Sequence, residues 1–138
     1  MSRVINSDLP YKKRIKILRL VSNSLSILGN DNISEKDRND LFAFIILSLT
    51  EIEKTITQAT ASWEKRAYWV KADQFRNEWQ WVSEIKTRLM QSRTAKGWEK
   101  IPAEIILLAE KLKMVEPSKR MQEKGFWKGA YSVLISQK

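Results

Sequence analysis

The sequence contains no cysteine and no histidine. Disulfides, thiol and imidazole catalysis, zinc fingers and the usual ligands of haem and iron–sulfur clusters are therefore excluded. Acid–base catalysis would need two convergent carboxylates, but Glu51 and Glu53 are two residues apart and face different directions on a helix. Walker motifs, glycine-rich phosphate loops and serine elbows are also missing. We therefore expect a protein that is not an enzyme, with no cofactor, no metal site and no small-molecule substrate.

Glycine and proline are scarce, with four and three copies among 138 residues, and neither type occurs between Gly29 and Gly97. Helices must dominate that interval, because these two residues are the strongest helix breakers. A hydrophobic fraction of 43% suits one folded domain. The predicted fold class is all-α, a single compact bundle of four to five helices over residues 1–138.

Long apolar runs are absent. The longest, from Leu41 to Leu47, is far shorter than the roughly 20 residues that span a bilayer. The first ten residues are mostly polar, and residues 11–19 carry five basic side chains, so no secretory signal is visible. We therefore expect no membrane partner and a cytoplasmic location.

Helix starts follow from proline and from capping residues. The first helix is predicted over 10–28, with Pro10 in its first turn and Gly29 as its stop. The second is predicted to start after Ser34, because Ser34 and Asp37 have the spacing of a capping box.

Helix ends are marked less clearly. The second helix is predicted to end or bend near Ala59, before Trp63, because the segment there is rich in hydroxyl residues that prefer caps. Further helices are predicted over 62–92, from Pro102 to just before Pro117, and over 117–135. A short strand is the alternative for 126–135.

Apolar residues at helical spacing predict the buried side of the first helix. Its apolar stripe is Tyr11, Ile15, Leu18, Val21, Leu25 and Leu28. The opposite side carries Lys12, Lys16, Arg19 and Asn23. One side of this helix is therefore expected to pack and the other to be positively charged.

Aromatic and basic residues alternate over 63–81. Two apolar lines run along this predicted helix, one with Tyr68, Ala72, Phe75, Trp79 and Val82, the other with Trp63, Ala67, Val70, Trp81 and Ile85. Trp69 lies away from both lines, among charged and polar residues. Such a tryptophan stacks on an unpaired base or a partner side chain, or else covers an arginine stem or meets a neighbouring helix.

Acidic residues are too few to balance the positive charge. The sequence has 25 Lys and Arg but only 16 Asp and Glu, which gives a net charge of +9. This surplus indicates a polyanionic partner. The candidate nucleic-acid-binding residues are Lys12, Lys13, Lys16, Arg19, Lys65, Arg66, Trp69, Arg76, Arg93 and Lys96. A solvated helix face and the capping of helix ends are the structural alternatives for the basic ones.

Three segments carry a family resemblance: the basic stretch 12–19, the Trp- and Arg-rich stretch 63–81, and the stretch 126–131. With the chain length, the helical pattern and the lack of catalytic groups, they make the sequence resemble the small subunit of multi-subunit CRISPR interference complexes. The resemblance implies a non-catalytic helical bundle. It also implies stacking in more than one copy and backbone contacts that steady the target or displaced strand.

The leading functional prediction is therefore sequence-independent binding of a single-stranded DNA or RNA backbone within a larger ribonucleoprotein complex. Its partners would be nucleic acid and other protein subunits, including copies of the chain itself. The main alternative is a protein-only adaptor or assembly factor that docks through the Trp-rich helix. A less favoured alternative is a membrane-surface helix that uses the basic stripe of the first helix.

Under this resemblance, an acidic patch would suit contact with a basic neighbouring subunit. Its members are Asp31, Glu35, Asp37 and Asp40.

Overall fold

The computed structural model describes residues 9–30, 32–98, 101–119 and 125–137. These ranges hold six helices: α1 Pro10–Leu28, α2 Glu35–Lys65, α3 Trp69–Glu78, α4 Gln80–Gln91, α5 Ala103–Lys111 and α6 Ala130–Ser136. They contain no strand, and an isolated backbone bridge joins Thr94 to Gly97. The predicted all-α bundle is confirmed, with five helices if α3 and α4, which Trp79 separates, are counted as one.

No helix in the described part of the chain is long and apolar enough to cross a membrane.

The central helix is α2, whose 31 residues measure about 46 Å at a rise of 1.5 Å per residue. α1 packs along one side of α2. α3 and α4 run back along α2 in the opposite direction, because Trp63 packs against Phe75 and Glu53 pairs with Lys86. α6 covers the first half of α2, and α5 contacts both α4 and α1. The two ends of α2 are therefore covered by different segments.

The hydrophobic core lies along the first half of α2, where α1, α4 and α6 pack on it and α5 adds Ile105 and Leu108 from its position against α1 and α4. Its largest fully buried apolar side chains are Trp98, Phe42, Leu41, Ile45, Ile46, Leu49, Ile52, Leu89 and Leu108. The Trp98 ring packs against Phe42, with centroids 5.3 Å apart, and against Tyr131 at 5.9 Å. Trp98, which lies outside any helix, thus ties the segment after α4 to α2 and α6.

The start of α2 agrees with the prediction, but its end does not. Ser34 is the N-cap, and its hydroxyl accepts a hydrogen bond of 3.1 Å from the Asp37 N–H. The predicted break near Ala59 is wrong, because the hydroxyl groups there bond to carbonyls inside the helix. Thr60 Oγ1, for example, donates to the Ile56 carbonyl at 3.0 Å. The helix therefore continues to Lys65.

The buried side of α1 differs from the predicted stripe at several positions. Tyr11 and Ile15 are exposed, whereas Arg14 is buried. Asn23, predicted on the charged side, is also buried, because its carboxamide accepts from the Ser118 N–H at 2.8 Å and donates to the Ser118 carbonyl at 3.1 Å. The boundaries of α1 agree with the prediction.

The C-terminal helices are shorter than predicted. α5 ends at Lys111, and α6 covers Ala130–Ser136 only. Gly129, with φ of +84°, ends a turn immediately before α6, so a helix cannot run through it. The alternative of a strand over 126–135 is also wrong. Residues 120–124 of the predicted last helix lie outside the described residues.

Candidate functional site

The chain turns from α2 into α3 through a Schellman motif. The Tyr68 N–H donates to the Trp63 carbonyl at 2.9 Å, and the Ala67 N–H donates to the Glu64 carbonyl at 3.0 Å. Glycine usually occupies the left-handed position of this motif. Here that residue is Ala67, with φ of +64°, and no other non-glycine residue in the described ranges has a positive φ. The surrounding contacts therefore hold a strained residue at this turn.

Three large apolar side chains project from the turn into solvent. The exposed fraction is 49% for Tyr68, 59% for Trp69 and 70% for Val70. The predicted surface position of Trp69 is confirmed. Tyr68 and Val70, which the sequence placed on the two apolar lines of one helix over 62–92, are exposed because α2 continues to Lys65 and α3 starts only at Trp69.

Three cations surround these side chains. Lys65 ends α2, the Arg66 guanidinium lies 5.9 Å from the Tyr68 ring centroid, and the Lys71 Nζ lies 4.6 Å from the Trp63 ring centroid. None of the three forms an ion pair within the described part of the chain. We call the following set the aromatic corner: Lys65, Arg66, Tyr68, Trp69, Val70 and Lys71.

The nearest carboxylates are engaged by another cation. Arg76 pairs with Glu64 at 2.5 Å and with Asp73 at 3.0 Å. The hydrogen bond to Glu64, above all, raises the pKa of the Arg76 guanidinium above its ordinary value. Because both carboxylates pair with Arg76, neither forms an ion pair with the cations of the aromatic corner.

An open cleft of about 590 Å³ lies beside the corner, between α2 and the α3–α4 pair. Its lining combines hydroxyl, amide, charged and apolar groups from Glu53, Ile56, Thr57, Arg76, Asn77, Trp79, Gln80 and Ser83. The Trp79 indole N–H is buried and has no hydrogen-bond partner among the described residues. The cleft lies in the volume range of small-molecule sites, but its polar lining groups partly satisfy one another, since Ser83 and Lys86 both bond to Glu53.

The predicted contacts on α1 form a second basic surface. Lys12, Lys16 and Arg19 are exposed on the outer side of the helix. Lys13 is half-buried and pairs with Glu51 at 3.4 Å. Hydrogen bonding to Lys54 first, and then to Lys13, holds the pKa of the Glu51 carboxyl below its ordinary value. The cation of Lys13 is therefore partly neutralised, whereas the Lys12 and Arg19 cations form no ion pair in the described residues.

Arg93 and Lys96 lie far from the aromatic corner. Asn39, near the start of α2, donates to the Lys96 carbonyl at 3.2 Å. The corner begins with Lys65, the last residue of α2. Twenty-six helical residues separate Asn39 from Lys65, a distance of about 39 Å. The predicted binding residues therefore occupy three separate surfaces: the outer side of α1, the corner with Arg76, and the opposite end of α2.

That opposite end, which we call the packed end, consists of Asn39, Asp40, Gly97, Trp98 and Gly129. Asn39 Oδ1 accepts from the Trp98 N–H at 2.8 Å. The Asp40 carboxylate is 3% exposed and accepts from the N–H groups of Gly129 and Tyr131, both at 3.0 Å. Asp40 thus supplies the cap that α6 lacks at its own N-terminus.

The acidic patch predicted for contact with another subunit is not formed. Asp40 is buried in the bonds to α6, and Asp37 is half-buried at the cap of α2. Glu35 is exposed, and Asp31 lies outside the described residues. Only Glu35 among the described members is freely exposed to a partner.

Arg14 is the buried residue that sequence analysis missed. Its guanidinium donates to Thr55 Oγ1 at 3.2 Å and lies 5.1 Å from the ring centroids of both Phe75 and Trp79. Burial lowers the pKa of Arg14 from its ordinary value, and the nearby Glu78 carboxylate opposes this effect. Arg14 joins α1, α2 and α3, so it is a packing residue and not part of the basic surface.

The described residues contain no cluster of His, Cys, Asp and Glu side chains that could hold a metal ion. No family model matches the chain, and no curated protein and no solved structure matches it at a significant level.

Proposed function

We propose that this protein binds single-stranded nucleic acid through the backbone, without sequence specificity, and that the aromatic corner is the principal contact. The observation that supports the proposal most strongly is the exposed Trp69 ring at a turn whose cations, Lys65, Arg66 and Lys71, form no ion pair in the described part of the chain. Proteins that hold single strands combine these two features, with aromatic rings that stack on bases and a positive surface that follows the phosphates.

The geometry favours a single strand over a duplex. An exposed ring can stack only on a base whose face is free, and paired bases in a duplex offer no such face. Tyr68 and Trp69 are neighbours at a rigid turn, so their positions do not depend on a flexible loop. The lack of a recognition-helix or zinc-finger pattern in the sequence supports binding without base-specific readout.

The outer side of α1 is a second, separate surface in the proposal. Lys12 and Arg19 are seven residues apart on one helix side, about 10 Å along the axis. Their separation allows each cation to contact a different phosphate of the same strand. We assign Lys12, Lys16 and Arg19 to auxiliary backbone contacts and Trp69 to stacking.

We also propose that the chain acts as a small subunit of a larger ribonucleoprotein, in keeping with its resemblance to the CRISPR small subunit. What supports this is an all-α bundle with exposed apolar side chains beyond the corner, such as Ile106 on α5. Apolar side chains exposed in this way are typical of surfaces that contact other subunits. The family assignment itself stays a prediction.

The proposal is tested by fluorescence anisotropy with labelled 15-nucleotide oligo(dT), oligo(U) and a duplex, from low to physiological salt. Trp69→Ala should weaken single-strand binding by about tenfold, because one stacked base contributes about 1–3 kcal/mol. Trp69→Phe should restore most of the affinity because it keeps a ring. The double variant Lys65→Gln and Lys71→Gln should reduce the slope of log affinity against log salt by about 1.4, since each lost phosphate contact removes about 0.7.

The matched control removes two cations from the opposite end of α2. Lys36 and Lys128 are exposed there and form no ion pair in the described residues. Lys36→Gln with Lys128→Gln should leave the salt slope unchanged. Equal reductions of the salt slope in the two double variants would mean that net charge alone attracts the strand. An unchanged affinity for Trp69→Ala would exclude stacking at the corner.

One observation favours the protein adaptor as a second candidate. Val70 is 70% exposed next to Trp69, and an aliphatic side chain gains little from a phosphate backbone but much from burial in a protein interface. An adaptor would show no strand binding even at low salt. The apolar surface of Tyr68, Trp69 and Val70 would then be the docking site for another protein.

A further inference from the structure

A small cavity of about 130 Å³ lies at the packed end of the bundle, between α2, the segment after α4, and α6. Five of its seven lining residues are apolar or aromatic, and the two others are Arg93 and Gln137. The lining residues are Ile46, Met90, Arg93, Trp98, Leu134, Ile135 and Gln137. Ile46 and Trp98 belong to the buried core, whereas Met90 and Ile135 are about half exposed. The cavity therefore reaches from the surface to the core.

The indole N–H of Trp98 has no free hydrogen to offer to a ligand in this cavity. Trp98 Nε1–H donates to the Leu89 carbonyl at 3.0 Å and to the Ser92 hydroxyl at 3.2 Å. An apolar cavity of about 150 Å³ in another protein binds benzene. The space here suits a phenyl ring or a leucine-sized group, and its apolar wall is formed by Ile46, Trp98 and Leu134.

The rim is positively charged. Arg93 is exposed and forms no ion pair in the described part of the chain. Among the described residues, no acidic side chain lines the cavity, and the Gln137 amide adds a further hydrogen-bond donor at the rim. A guanidinium group matches the planar, two-oxygen geometry of a carboxylate. One isolated arginine is suited to a singly charged carboxylate, and a strand of phosphates would require several cations.

We propose that this cavity binds an apolar group that carries a carboxylate, with the apolar group against Ile46 and Trp98 and the carboxylate on Arg93. Two sources supply this chemistry: the last residue of a polypeptide, when it is Phe or Leu, and a free small acid of the arylalkanoate type. The proposal does not depend on nucleic-acid binding. Arg93 would bind a carboxylate, whereas the corner cations would contact phosphates.

The test uses four probes with the full chain, followed by two-dimensional amide NMR and calorimetry. They are 3-phenylpropanoate, its primary amide, the peptide Gly-Gly-Phe with a free carboxylate, and the same peptide as a C-terminal amide. Each acid should bind at least tenfold more tightly than its amide, and the amide signals of Trp98 and Leu134 should shift. If the peptide acid binds tenfold more tightly than phenylpropanoate, the ligand is a polypeptide terminus, and equal affinities indicate a free acid.

Two variants separate the roles of charge and cavity. Arg93→Gln should remove the preference for acid over amide without changing the affinity of the amide. Ile135→Trp, at a half-exposed position on the wall, should fill the cavity and abolish binding of acids and amides alike. Its urea unfolding curve shows whether the variant is folded. Equal affinity of acid and amide, an acid preference that survives in Arg93→Gln, or dissociation constants above about 5 mM for both acids would overturn the proposal.

Discussion

The two ends of α2 use polar and aromatic residues in opposite ways. At the packed end, Trp98 is 2% exposed, its N–H groups are bonded, and the Asp40 carboxylate is committed to two backbone donors. At the aromatic corner, Trp69 is largely exposed, and Lys65, Arg66 and Lys71 have no carboxylate partner in the ranges that the structure describes. Groups that are satisfied within the fold contribute to stability, and groups left unsatisfied are available to a ligand. The comparison predicts that mutations at the packed end lower the stability of the fold, whereas mutations at the aromatic corner weaken binding.

The strongest test of the packed end is Asp40→Ala. It leaves the N–H groups of Gly129 and Tyr131 without their acceptor, and hydrogen bonds to a charged group contribute more than neutral ones. We expect the free energy of unfolding, measured with urea, to fall by about 3 kcal/mol. Glu35→Ala is the matched control, because it removes an exposed carboxylate from the first turn of the same helix and should cost at most about 0.5 kcal/mol. Similar losses for the two variants would show that Asp40 acts only through its charge.

A second test compares two glycines at this end that share a left-handed conformation. Gly97 has φ of +94° and packs so closely on Asn39 that a Cβ would overlap the side-chain amide. Gly129 has φ of +84° and open space around the same position. Gly97→Ala should therefore lower the free energy of unfolding by about 2.5 kcal/mol and Gly129→Ala by about 1 kcal/mol. Equal losses in thermal or urea unfolding would mean that backbone strain alone explains both glycines.

The sequence predicted local features of the fold well. The boundaries of α1 and the Ser34 cap of α2 follow from residues within one turn of each boundary. The position of Trp69 at the surface was also predictable, since it lies off both apolar lines. These features are determined by residues within a few positions along the chain, so a local sequence pattern is enough to predict them.

Features that depend on distant contacts were not predicted. Arg14 looks like one more basic residue of α1, and only its position beside Phe75 and Trp79, sixty residues later, makes it a core residue. Asp40 likewise becomes a cap only when α6 packs on α2. For the candidate site, the sequence identified Trp69 and two of the three corner cations, but Lys71 was not among the predicted residues. The end of α2 was missed because the usual signal, a glycine, is absent at the turn.

That missing glycine gives the smallest expected effect and a test of the corner itself. Ala67→Gly should raise the free energy of unfolding by about 0.5–1 kcal/mol, because glycine adopts φ of +64° without the Cβ strain. Ala61→Gly is the matched control: it makes the same chemical change at an exposed position inside α2, where it should lower stability by about 1 kcal/mol. Because the turn keeps its shape, single-strand affinity should be unchanged in Ala67→Gly. If the free energy of unfolding rises while single-strand affinity falls severalfold, the stiffness that alanine gives this turn contributes to binding. One residue of the corner would then affect both folding and binding, against the separation that the comparison predicts.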